Sequence, residues 1–251
     1  MNLYSGIFIV FLFTSLSLNA QVINIENARL QTDTTGWKGE VAGSFALVNN
    51  GVKLWLAGAD AHLQYKTEKD LWLALVHYGL QKSAEENFSD QALAHLRYNR
   101  KMGKAVRWEV FTQLQNNLVN NIKSRFLAGT GPRVKVAGNA IIRLYAATAV
   151  MYEHEEESGS PKTIHRDARS SSYLSFTLTP APNTELSATT YYQPLLNQFS
   201  DHRILTQARL KIKTGKYFSV QMRWYYLFDS APAGNSPKET YTFSTGLAYE
   251  F

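Results

Sequence analysis

The chain has 251 residues, a formal net charge of +6 and no cysteine, with 14 Tyr and 13 Phe. These figures suit one domain of moderate size and exclude disulfides, thiolate metal sites and a lipid-anchored cysteine. Mean hydropathy is slightly negative, which excludes a helical membrane protein but not a β-barrel, whose membrane signal lies in alternation.

Residues 1–20 read as a secretory signal peptide. Ile7–Leu18 is an apolar run, and Leu18-Asn19-Ala20 ends in the small residue that signal peptidase prefers. The segment before the run lacks Lys or Arg, but the run is far short of the roughly 20 residues needed to span a bilayer. Cleavage near Ala20 is expected. Residues 21–35 are mostly polar and read as a short periplasmic lead-in.

From Gly36 to Phe251 a two-residue period recurs. Strands are predicted near 36–48, 52–65, 71–82, 91–99, 105–115, 125–136, 140–153, 169–179, 184–193, 203–213, 217–228 and 240–251. Each can cross a bilayer when tilted, which takes about 9–11 residues. The second, fourth, sixth, eighth and tenth joints are short turns. The others, near 83–90, 116–124, 154–168, 194–202 and 229–239, are longer, apart from a tight Asn49-Asn50-Gly51 hairpin. Short turns on one side and longer loops on the other predict an all-β, transmembrane, antiparallel up-and-down barrel with periplasmic termini. The charge run Glu153–Glu157 reads as a solvated loop face.

One parity is apolar along every strand: Trp37, Phe45, Trp55, Trp72, Val76, Trp108, Val150, Leu174, Leu186, Trp224 and others. Only Lys53 and Lys82 carry charge there, both at the outer rim, where long side chains snorkel. Aromatics gather at strand ends as two girdles. The last strand alternates Tyr241, Phe243, Thr245, Leu247, Tyr249 and Phe251, and its closing Tyr249 and Phe251 are expected to be read by assembly machinery.

The other parity carries Arg97, Arg107, Arg125, Arg133, Arg143, Arg169, Arg203, Arg209 and Arg223. Two readings stay open. Either these line a narrow conduit that prefers anions, since rings of Arg select by sign, or they knit into a self-bonded lattice within a narrow barrel. Arg97 opposite Arg107 would favour water or an anion inside. Hairpin folding also predicts a row of Glu40, Asp60, His77, His95 and Glu109. Of these, Asp60, His77, His95 and Glu109 have the ligand types of a divalent-metal site, or they form a plain polar ladder.

No enzyme is expected, and an outer-membrane lipid hydrolase, which would need a polar triad on the outward face, is the last of the readings. His154 and His165 share the longest predicted loop with Ser158, Ser160, Glu155 and Asp167, but no scaffold positions them. No cofactor and no nucleic-acid partner are expected, because most arginines point inward rather than forming a surface stripe. The expected surroundings are the outer membrane of a diderm (Gram-negative) bacterium, lipids including lipopolysaccharide, the barrel-assembly machinery, and, in an accessory role, a larger outer-membrane protein complex.

The lead-in Asn27-Ala28-Arg29, the stretch Asp33–Gly39, the segment Arg125–Arg133, the Arg223–Tyr225 strand and the Tyr249-Glu250-Phe251 end together resemble the salt-induced outer-membrane protein family. The resemblance covers nearly the whole chain after residue 20 and implies a barrel of unassigned molecular function. The Asn49-Asn50-Gly51 hairpin departs from that family's usual Gly-Asn-Thr. Gly129 and Gly131 face inward, leaving room for a bulky neighbour such as Tyr145 or an Arg.

Overall fold

A computed structural model describes residues 34–49, 53–83, 89–159, 161–234 and 236–251. The predicted signal peptide, most of the lead-in and the 50–52 hairpin lie outside them. Twelve strands follow in order: β1 Gly36–Asn49, β2 Lys53–Lys66, β3 Asp70–Ser83, β4 Ser89–Lys101, β5 Val106–Asn117, β6 Ile122–Gly138, β7 Ile142–Glu157, β8 Ile164–Ala181, β9 Thr184–Leu195, β10 Gln198–Lys213, β11 Phe218–Asp229 and β12 Glu239–Glu250. Each pairs antiparallel with its chain neighbours, and β12 closes on β1. The strands that begin at Gly36 and end at Glu250 meet at the short-turn rim. "Above" hereafter means toward the opposite, long-loop rim.

The alternation decides which side chains meet lipid. Val150 and Leu174 are each 60 % exposed and Val76 is 54 % exposed, all from mid-strand. So continuous an exposed apolar belt does not suit a water-soluble surface, but it suits hydrocarbon. The girdles are real ring clusters. At the short-turn rim Trp37 meets Tyr65 at 4.8 Å, Trp72 meets Tyr98 at 4.4 Å, and Tyr249 meets Phe218 and Phe251. At the long-loop rim Phe45 meets Trp55 at 5.8 Å, and His202 bridges Tyr192 and Phe228. Hydroxyls on the outer face bond each other across strands, as Thr148 does with Ser172 (2.9 Å) and Thr190 with Thr206 (3.0 Å). That removes the penalty of leaving them unpaired in lipid.

The strands run longer than the period alone predicts. The joints expected at 116–124, 154–168 and 194–202 shrink to 118–121, 158–163 and 196–197. At the first, Leu118–Asn120 form a single 3₁₀ turn, capped by the Asn117 side chain and closed by Asn121 at φ 55°. At the second, β7 and β8 stay paired up to Glu156↔Ile164. Past Tyr152 the outer parity turns polar, with His154, Glu156 and Arg166, and Lys123 and Lys162 bind Glu156 at 2.7 and 3.1 Å. The hairpin therefore rises out of the apolar belt into water.

Gly129 faces Phe111 across β5–β6. A Cβ there would strike the Phe111 ring, so this residue, not Tyr145, fills the space that the glycine leaves. A Cβ at Gly131 would collide with the backbone of Thr148 and Ala149, and a backbone cannot step aside. Gly131→Ala is expected to abolish the heat-modifiable folded band on a gel. Gly43→Ala, with open space around its Cβ position, should keep it.

Candidate functional site

The inward faces form the candidate site. Alternation along β7 aims Met151, Glu153 and Glu155 into the barrel, and all three are buried, Glu153 at 1 % exposure. The run read as a solvated loop face is thus the ionic centre of the upper lumen, because the strand continues through it. Register sets Glu155 beside Arg125 and Met151 beside Arg169. Arg169 Nε lies 3.1 Å from Glu153 Oε2 and its Nη1 lies 2.9 Å from Asp201. Arg203 reaches over from β10, donating to both Glu153 oxygens at 2.7 and 3.0 Å and to Asp229 at 2.7 Å. Arg125 binds Glu155 and approaches Glu153 at 3.5 Å. One carboxylate thus gathers three arginines, and β7 and β10 are bonded across the lumen.

The middle layer is aromatic and aliphatic. Tyr173, Tyr191, Leu205 and Tyr225 pack together, while Leu73, Leu75 and Leu93 make a second cluster. Tyr173 donates to Glu109 Oε2 at 2.8 Å, from three strands along the wall.

Lower down, Arg97 and Arg133 approach Glu109 at 3.3 and 3.6 Å. The Arg133 guanidinium lies 3.7 Å from the Tyr145 ring centroid, a cation–π contact. Lys211 binds Glu40 at 2.6 Å and also Glu250. Arg209 takes Glu185 at 2.9 Å, and Arg223 binds Asp60. Seven of the nine predicted lumen arginines therefore hold a carboxylate. Arg107 and Arg143 lie half-exposed at the short-turn rim.

Two register expectations change. Arg97 stands opposite Phe111, not Arg107, whose partners are Lys101 and Arg133. Glu40 stands opposite His62, not Asp60. Asp60 and His77 do meet, at 2.8 Å. His77, however, faces Leu93, and His95 faces Leu75, so the two imidazoles are offset along the wall. His95 bonds Gln113 at 3.0 Å, and Glu109 lies with the arginines. The four candidate metal ligands thus fall into separate clusters, and among the described residues no three His, Asp or Glu stand in position to hold a metal ion.

Sequence reasoning missed Glu153, Glu155 and Lys211 as lattice members, and Tyr173 as a cross-lumen donor. Parity with Met151 would have placed the two glutamates. The bonds that cross the lumen have no sequence signal.

Fold and lumen together define a transmembrane β-barrel of the outer-membrane class. Solved structures agree. The NanC porin aligns at TM-score 0.54 with 9 % identity, over 85 % of this chain and 98 % of that one. The COG4313 outer membrane channel from Pseudomonas putida F1 aligns at 0.53 with 12 % identity, over 88 % and 96 %. The translocator domain of the autotransporter NalP from Neisseria meningitidis aligns at 0.52 with 12 % identity, over 90 % of each. At such identities the likeness is one of fold. No curated protein sequence matches. Residues 57–251 match the family described as "Protein of unknown function, DUF481", and the chain belongs to that family.

Proposed function

We propose that this protein is an outer-membrane barrel closed at rest, serving a structural or accessory role beside partner proteins rather than as a standing anion pore. The observation that carries this reading is the Glu153 cluster. A residue 1 % exposed in the upper lumen, bonded from three other strands, supports a plug of side chains rather than a water path. Arginines neutralised in pairs offer a passing anion little unspent charge. The narrow anion-preferring pore remains the second reading, favoured by the half-exposed Arg107 and Arg143 at one rim. In this proposal the termini and short turns face the periplasm, residues 1–20 are removed on export, and the longer loops meet lipopolysaccharide and partners.

Planar-bilayer recording tests it. The refolded wild-type barrel is expected to be silent. Steady anion-selective steps that weaken on Arg107→Ser or Arg143→Ser would establish the pore instead.

A further inference from the structure

The barrel wall forks beside the Asp60–His77 pair. β1 and β12 pair over five positions, Glu40↔Glu250 to Ser44↔Gly246. By contrast, β1 pairs with β2 from Gly36 to Asn49, and β12 with β11 from Glu239 to Tyr249. Above Ser44 and Gly246, among the described residues, β1 keeps only β2 as a partner and β12 only β11. Ser44 precedes Phe45 of the upper girdle, so the fork starts at headgroup level, where free backbone edges meet polar surroundings.

The level of the fork is a ledge. Gly246, Ser44, Gly58, Gly79 and Gln91 stand side by side on β12, β1, β2, β3 and β4. A Cβ at Gly58 would stand 2.7 Å from Ser44 Oγ and 3.8 Å from His77 Cε1. One at Gly79 would stand 2.7 Å from Gln91 Nε2 and 3.2 Å from His77 Nε2. The glycines therefore let three polar side chains converge. His77 is 4 % exposed. Its Nδ1 lies 2.8 Å from Asp60, whose second oxygen binds Arg223. A carboxylate only accepts, so Nδ1 carries the hydrogen of that bond and Nε2 is left to the niche.

His77 Nε2 and Gln91 Oε1 are both buried without a hydrogen-bond partner. Buried polar atoms left unpaired are uncommon and point to an absent bonding group. A ligand hydroxyl, which both donates and accepts, can pair with both atoms. One strand past Gly246, the donor Gln221 Nε2 is also unpaired, and a hydroxyl satisfies either kind. Asp60 and Arg223 cancel, so the niche does not select an anion. Outside, immediately below the fork, Val41, Gly43, Ala59, Ala61, Val76 and Leu247 line an apolar groove of about 580 Å³, continuous with the lipid-facing belt.

We propose that the β1–β12 fork is a lateral binding site for a lipid with a neutral, hydroxyl-bearing head. The head crosses the fork and hydrogen-bonds to His77 Nε2 and Gln91 Oε1, while the acyl chain lies in the groove beneath.

The refolded full barrel is photolabelled with a diazirine-bearing monoacylglycerol, and adducts are mapped by mass spectrometry. Label is expected on β1, β2 and β12 peptides. His77→Phe and Gln91→Leu should each reduce it about tenfold, as loss of roughly 1.4 kcal/mol of binding implies, in protein that remains heat-modifiable. A diazirine phosphatidylcholine, whose head carries no hydroxyl donor, should label the site about tenfold less. Label spread evenly around the belt, equal labelling by both probes, or labelling unchanged in both side-chain variants overturns the proposal.

Discussion

Glu153→Ala is expected to lower the barrel's unfolding free energy by about 3–5 kcal/mol, the cost of breaking a buried ion pair from one side. The carboxylate is 1 % exposed and lies within 4 Å of Arg125, Arg169 and Arg203. Removing it leaves three guanidinium groups crowded where water cannot reach them. Partial compensation is at hand, since Arg203 keeps Asp229, Arg169 keeps Asp201 and Arg125 keeps Glu155, so the lower end of the range is the better figure. Glu153→Gln keeps the shape and one acceptor oxygen and should cost less. Glu156→Gln, three positions beyond and outside the wall, should leave the midpoint where it was, because exposed pairs contribute little. Urea titration in lipid vesicles, followed by the fluorescence of the five tryptophans, ranks the three. An alanine variant as stable as wild type would remove the lattice from the account of stability and, with it, the main support for a closed lumen.

The contrast between Glu153 and Glu156 also shows where sequence reading stops. The two-residue period is a local property, imposed by the pleat. It therefore located every strand, the lipid face and both girdles from residues such as Trp37, Val150 and Tyr249. It equally implied that Glu153 and Glu155 share the face of Met151. The charge of Glu153–Glu157, however, ends the expected strand at 153, whereas the pleat continues to Glu157. The inner face poses a harder problem. A hairpin register one step out moves every diagonal neighbour, which is how His77 and His95 came to be read as adjacent. Contacts across the lumen, such as Tyr173 with Glu109 or Lys211 with Glu40, join strands far apart in sequence. They depend on barrel diameter and side-chain reach, which no local pattern encodes. The apolar clusters around Leu73 and Tyr225 were likewise hidden, because an inward leucine and an outward one look alike until parity is counted from a fixed end.

The second large effect is expected from Leu174→Arg. Leu174 lies mid-strand on β8, 60 % exposed, between inward Tyr173 and Ser175. On a water-soluble barrel an exposed leucine can become arginine at almost no cost, since the charged head stays hydrated. In a bilayer the same change sets a guanidinium near the middle of the hydrocarbon, at about 2–4 kcal/mol. The sign of the comparison therefore identifies the solvent. Ile164→Arg, on the outer face of the same strand but beyond the apolar belt and 43 % exposed, provides the internal standard and should be nearly neutral. Measured by urea unfolding from vesicles, the two variants should differ by about 2 kcal/mol or more. In detergent micelles, which are thin enough for the side chain to reach water, the gap should narrow. Equal midpoints in vesicles would mean that Leu174 does not face lipid, and the outward parity of all twelve strands would have to be reassigned with it.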